Sequence, residues 1–200
     1  MIFNTQRRTA PPLEINMGKA PARVAAAGDG NPVFVAERDA DSIATVDGRA
    51  ATVRARIKVG SHPFALLLDE TRARLYALNV LSDDVSVIDL RQRAVIATVK
   101  VGRAPYGAAP AHGNTLLYVT NQHGNTVNVN DAETLQPLRT LEGFACPEGI
   151  AAHGEHVYVV NWMDDCVSVL DAKSSRELDR IGTGLNSRAF GAFIGAPTGP

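Results

Sequence analysis

One pattern recurs four times along the chain at a near-constant interval. It reads "FVAERDADSIATVDGR" from Phe34, "YALNVLSDDVSVIDLR" from Tyr76, "YVTNQHGNTVNVNDAE" from Tyr118 and "YVVNWMDDCVSVLDAK" from Tyr158. The aromatic leaders lie 42, 42 and 40 residues apart, and the Asp that ends each copy recurs in step at Asp47, Asp89, Asp131 and Asp171. Between copies sits a second constant element, "MGKAP", "VGSHP", "VGRAP" or "EGFACP", ending at Pro21, Pro63, Pro105 and Pro147. A period near 40 residues means one supersecondary unit repeated, because a unit that small buries its apolar face only against its neighbours.

Each unit predicts four strands. A run such as "FALLLD" (64–69) follows the Pro, then a turn, the aromatic-led run, an Asn-containing break, the "VSVID" type of run, and a closing run such as "VIATVKVG" (95–102). Alternation rich in Val, Ile, Tyr and Thr indicates strands, and clusters of Gly, Asn and Asp mark turns. No segment has the pattern of a long helix. Four antiparallel strands in about 42 residues match one blade of a β-propeller. The expected fold is therefore an all-β propeller in a single domain over 1–200, with full blades at 21–58, 63–100, 105–142 and 147–182.

The ends predict a split or incomplete blade. One period before Asp47 falls on "MIFNT", the place of a third strand, and "PLEINMG" (12–18) supplies a fourth, so 1–18 reads as the end strands of a preceding blade. "SRAFGAFIG" (187–195) lines up with "RAPYGAAPA" and reads as a closing first strand. Two readings follow: the C-terminal portion of a longer propeller, or a closed five-bladed ring.

The run "LYVTNQHGNTVNVNDAET", preceded by "VGRAPYG", resembles the YVTN repeat of bacterial propeller proteins. "LYALNVLSDDVSVIDL" with "VGSHPFA", and "VYVVNWMDDCVSVLDAK" with "CPEG", are similar to it as well. The first copy departs, with Glu37 where the others carry Asn79, Asn121 and Asn161. The resemblance spans roughly 15 to 195 and implies about seven blades in a complete protein. It also implies a periplasmic or secreted location and, for most members, a binding or accessory role. The same architecture hosts haem and quinone enzymes, so the resemblance speaks to fold more than to function.

Composition narrows the classes further. The formal net charge is −1 and the pI near 6.5, so no global basic field favours nucleic acid. The longest apolar run, "FALLL" at 64–68, is too short to span a bilayer, and the N-terminus carries no signal-peptide pattern. Cys146 and Cys166 precede the first and third strands of one blade. Two strand spacings, roughly 9.5 Å, exceed the roughly 7 Å limit between bridged Cα atoms, so a disulfide is not expected.

Most recurring residues have a structural reading. The repeated Asp is placed to bond the backbone of the following turn, and the repeated Asn is expected to do the same for the break after the second strand. The Gly before each Pro predicts a bend, and the aromatic leaders predict blade-to-blade packing. Function is sought in loops that depart from the repeat. Strands one and three run parallel, so the loops leading into them share one end of every blade. The candidate ligand-binding residues there are His62, His123, Cys146, Glu148, Trp162, Asp164 and Arg188, with Asp83 and Asp165 as further charged departures. Trp162 puts a large amphipathic ring where other copies have residues such as Leu81 and Gln122.

No catalytic constellation is visible. The histidines and Cys146 come from different blades without metal-ligand spacing, and neither C-x-x-C-H nor H-E-x-x-H occurs. The leading expectation is a non-enzymatic binding or scaffold propeller without cofactor or metal, taking a protein, peptide or small-molecule ligand at the channel mouth. Open blade edges add an expectation of self-association. The alternative is a haem- or quinone-associated oxidoreductase propeller, or an accessory subunit of one.

Overall fold

The computed structural model describes residues 11–189. Among the described residues sixteen strands form four four-stranded antiparallel sheets, each made of strands consecutive in the chain. The first holds β1 (Pro21–Ala26), β2 (Val33–Glu37), β3 (Ser42–Asp47) and β4 (Thr52–Lys58). The second holds β5 (Pro63–Asp69), β6 (Arg74–Asn79), β7 (Asp84–Asp89) and β8 (Ala94–Lys100). The third holds β9 (Pro105–Ala111), β10 (Leu116–Asn121), β11 (Thr126–Asp131) and β12 (Pro137–Leu141). The fourth holds β13 (Pro147–His153), β14 (His156–Asn161), β15 (Cys166–Asp171) and β16 (Glu177–Gly182). The helical content of the described residues is two single 3-10 turns, Arg38–Ala40 and Gln122–Gly124.

Burial follows residue pattern strand by strand. The middle strands, such as β6 ("RLYALN") and β7 ("DVSVID"), are buried on both faces, the polar Asn79, Asp84 and Ser86 included. The fourth strands β4 and β8 alternate instead. In "TVRARIK" the Thr, Arg and Lys face solvent while Val53, Ala55 and Ile57 turn inward.

The chain divides into two compact units, one running through Ser82 with Ser86–Thr98, the other Asp83–Val85 with Val99 onward. In the first unit β1 and β2 lie against β5, and Phe34, Ala36 and Ile43 pack with Leu75, Ala77 and Ile88. In the second, β9 and β10 lie against β13, and Tyr118 and Val129 pack with Ile150, Val159 and Leu170. Tyr118 is fully buried, and its hydroxyl donates to the Ala172 carbonyl at 2.9 Å while lying 2.6 Å from Ser175 Oγ. Burying a large apolar side chain of this kind is worth roughly 1.5–3 kcal/mol, so the aromatic leader is a packing residue that also ties one sheet to the next.

The repeated Asp makes turns. Asp47 Oδ1 accepts from the Arg49 and Ala50 amides, Asp89 from Arg91 and Gln92, Asp131 from Glu133 and Thr134, and Asp171 from Ser174. The repeated Asn does something else. Its amide reaches across to the neighbouring strand: Asn79 to Ser86 Oγ at 2.9 Å, Asn121 to Asn128 Oδ1 at 2.7 Å, Asn161 to Ser168 Oγ at 2.9 Å. Ser86 and Asn128 in turn accept from the Gly60 and Gly102 amides of the preceding link. The Asn therefore sets a cross-strand network in place of bonding the turn backbone, and Asn121 also reaches Thr126 Oγ1 across the break at 3.0 Å. The glycine is required for close approach: a Cβ at Gly102 would sit 2.7 Å from Asn121 Nδ2. The bend falls two residues later at Ala20, His62 and Ala104 and three later at Cys146, all with positive φ immediately before the Pro, and Gly143 takes positive φ as well.

The first copy solves the same problem with different atoms. Ala44 stands where later copies have Ser or Asn, and the longer Glu37 reaches the Gly18 amide itself at 2.6 Å. Ser42 and Arg56 complete its bonding.

At the ends, residues 12–18 form no strand beyond an isolated bridge at Leu13, in place of the expected fourth strand. The alternation of Leu13, Ile15 and Met17 with Glu14 and Asn16 does not by itself make a strand of this stretch. Residues 187–189 are irregular, and "MIFNT" and 190–195 lie outside the described residues. Cys146 and Cys166 are free and buried.

Candidate functional site

The loops before the first and third strands hold one another through a repeated hydrogen bond. The amides of His62, Ala104, Cys146 and Asn186 donate to side-chain oxygens of Asp41, Asp83, Asn125 and Asp165 at 2.8, 2.9, 2.9 and 2.5 Å. Asp83 and Asp165 are thus structural latches. The series also fixes register. Asn186, not Arg188, occupies the place of Ala104 and Cys146, so Arg188 is the counterpart of Glu148. A second series aligns the other loop: the amides of Arg38, Val80, Gln122 and Trp162 donate to the carbonyls of Ala20, His62, Ala104 and Cys146. Trp162 therefore replaces Val80 and Gln122, while Leu81 lies one position further on.

These two registers build a cluster in the second unit. Gln122 Nε2 donates to Glu148 Oε1 at 2.5 Å from 26 residues away. Trp162 and Arg188, with the same separation, repeat the relation one copy on: the Arg188 guanidinium carbon lies 3.8 Å from the Trp162 ring centroid. Successive copies sit side by side, so Arg188 Nε also approaches Glu148 Oε2 at 3.8 Å. The Glu148 side chain is fully buried and that of Arg188 is 43% exposed. A buried carboxylate beneath an exposed cation and a half-buried indole can bind and orient a ligand.

Backbone packing holds the cluster in place. Thr120 Oγ1 donates to the Glu148 carbonyl at 3.0 Å, and Gly107 leaves room for that carbonyl, since a Cβ there would sit 2.5 Å from it. On the other side, Gly149 accommodates the Ala189 carbonyl in the same way. Cys146 adjoins the cluster. Burial pushes its thiol pKa up, the Glu148 charge adds to that, and Arg188 offsets part of it.

The remaining candidates make other contacts or none that joins the cluster among the described residues. Asp164 pairs with Arg180 at 3.4 Å, and Arg180 also bonds Glu177 and the Gly143 carbonyl. His123 is exposed in the 3-10 turn Gln122–Gly124. His62 belongs to the first unit, with Nδ1 3.7 Å from Asp39. Among the described residues no group of three or more His, Cys, Asp or Glu side chains is placed to hold a metal ion. Gln122 is the member of the cluster that sequence reading passes over. The available signal was its position directly after the repeated Asn, the same place as Trp162.

The sequence matches no protein-family model and no curated protein. Solved structures do match in fold. Hydrazine synthase from Kuenenia stuttgartiensis superposes with a TM-score of 0.75 at 23% identity, over 84% of this chain and 50% of that one. The WD40 repeats of RRP9 give 0.72 at 18% identity, over 82% and 51%. Dihydro-heme d1 dehydrogenase NirN in complex with DHE gives 0.73 at 16% identity, over 89% and 41%. The chain thus spans about half the length of the solved chains it matches, and at these identities the likeness shows a β-propeller-like fold and nothing finer.

Proposed function

We propose that the chain is a non-enzymatic binding propeller of the YVTN-repeat type, working in the periplasm or outside the cell, with its ligand site at Glu148, Trp162 and Arg188. One observation carries this reading. The sole tryptophan of the chain sits at a loop end, stacked by an exposed arginine and adjoining a buried carboxylate. Trp and Arg dominate the energetics of binding sites because each combines large contact area with a polar handle. The ligand is a protein, peptide or small molecule. Strand β16 is exposed along its length, and exposed strand edges are templates for pairing, so self-association through blade edges belongs to the same proposal.

The experiment is Trp162→Ala, read by partner affinity and by thermal unfolding together. An anchor residue lowers affinity by about 1–3 kcal/mol with little change in Tm. A sharp fall in Tm with unchanged affinity per folded molecule makes Trp162 a core residue and removes the assignment. A second reading, a haem- or quinone-associated propeller or its accessory subunit, is favoured by the two fold neighbours whose names are those of enzymes. A visible absorbance band in the purified protein selects it.

A further inference from the structure

Glu148 and Trp162 each keep one polar atom buried without a hydrogen-bond partner, Oε2 and Nε1. In the interior such atoms are normally satisfied, and an unmet one points to a group that is absent or misplaced. A cation can meet only the carboxylate oxygen, because the indole N–H is itself a donor; the cation that approaches Oε2 is Arg188. It stacks closely on the indole at 3.8 Å, yet its Nε stays 3.8 Å from Oε2, beyond hydrogen-bond range. Its backbone is packed closely: the Ala189 carbonyl passes beside Gly149, where a Cβ would sit 2.5 Å from it.

Resting on the proposed site, we propose that Trp162, Glu148 and Gln122 form a recess that recognises a guanidinium group, and that Arg188 fills it in cis. The indole face attracts a planar cation. The carboxylate supplies charge and one free acceptor, Oε2, because Oε1 is taken by the Gln122 amide. An untethered guanidinium can stack on the ring and bond Oε2 together, which Arg188 does not. A planar cation suits the ring better than an ammonium, which is a compact, strongly hydrated point charge. Arg188 is then a competitor covalently attached to its own site, and it lowers apparent affinity by the fraction of time it occupies the recess.

The single tryptophan makes this measurable, since intrinsic fluorescence reports Trp162 alone. Ethylguanidinium and the tripeptide Gly-Arg-Gly are titrated into the native protein, Arg188→Ala, and Arg188→Ala carrying Glu148→Gln. Arg188→Gln replaces Arg188→Ala if circular dichroism shows the latter unfolded. The expected result is a saturable change, at least tenfold tighter without Arg188 and at least tenfold weaker again without the Glu148 charge. Equal affinity for the two probes assigns a free small molecule, and a tenfold preference for the tripeptide assigns a peptide arginine. No saturable change in the folded Arg188 variants overturns the inference, as does equal binding of ethylammonium. If Trp162→Ala weakens partner binding while guanidinium probes fail, the proposed function survives and this inference falls.

Discussion

The Asn125 side chain accepts the Cys146 amide at 2.9 Å, and both residues take left-handed backbone, φ 55° and 51°. The bond joins the loop before the third strand of one sheet to the loop before the first strand of the next. In the first unit Asp41 makes the equivalent bond to the His62 amide, fastening the first sheet to the second. Asn and Asp tolerate this conformation better than other side-chain-bearing residues, so one residue type meets both demands.

Asn125→Ala should therefore destabilise twice over. Losing the acceptor leaves a half-buried amide unmet, about 1 kcal/mol, and the left-handed backbone adds roughly 1 kcal/mol for Ala. Asn125→Gly relieves the second cost and keeps the first. Urea unfolding should rank native, Gly and Ala in descending stability. Equal stability of all three would mean the latch holds nothing.

The fold was legible because a 40-residue period with strand alternation admits few architectures, and four sheets of four antiparallel strands follow from it. Site detail was legible only where a residue broke the repeat visibly. Trp162 does so by size. Gln122 does not, being one polar residue among several in "NQHGNT". The register of the last copy was hidden because "SRAFG" imitates "RAPYG", pairing Arg188 with Ala104. Hydrogen bonding pairs Asn186 with Ala104 instead, through Asp165. Letters resemble; the acceptor position decides.

Acid should weaken the fold through the turn and network carboxylates. The Ala50 amide, then Arg54, hold Asp47 at about 2, and Ser174 holds Asp171 below the usual range. Burial would raise Glu37, but bonds from Arg56, Gly18 and Ser42 outweigh it and hold the group low. A depressed carboxylate stabilises fully above its unfolded pKa, about 4, and that contribution is lost as pH falls through the folded value. Urea midpoints should be level from neutral pH down to about 5 and drop between about 4 and 2. Asp47→Asn should be less stable at pH 7 and fall less steeply. An identical acid slope in the variant would exclude Asp47 from the effect.

The thiols should be slow. Burial and the Glu148 charge raise the Cys146 pKa, and Cys166 is buried with Asn161 Nδ2 3.5 Å from its sulfur. The thiolate is the reactive form, so a disulfide reagent at pH 8 should label neither residue in the native protein and two per chain in denaturant. Fast native labelling of Cys146 would place it at an open surface and dismantle the description of the cluster around Glu148.

Glu37 offers the strictest test of the repeat network. Its carboxylate is fully buried and is met by Gly18, Ser42 and Arg56. Glu37→Ala leaves those partners without their acceptor, and breaking a buried ion pair from one side costs about 3–5 kcal/mol. The exposed side of Arg56, 47% accessible, sets the expectation at the lower end. Glu37→Asn alone should recover little, because Ala44 supplies no hydroxyl for the shorter amide to reach. Glu37→Asn with Ala44→Ser rebuilds the pairing seen between Asn79 and Ser86 and between Asn161 and Ser168, with the new hydroxyl placed to accept from Gly18 as Ser86 does from Gly60. The double variant should regain more than half of the lost stability by urea unfolding. If it is no more stable than Glu37→Asn, the first copy is not built on the network of the other three, and Glu37 is not its substitute.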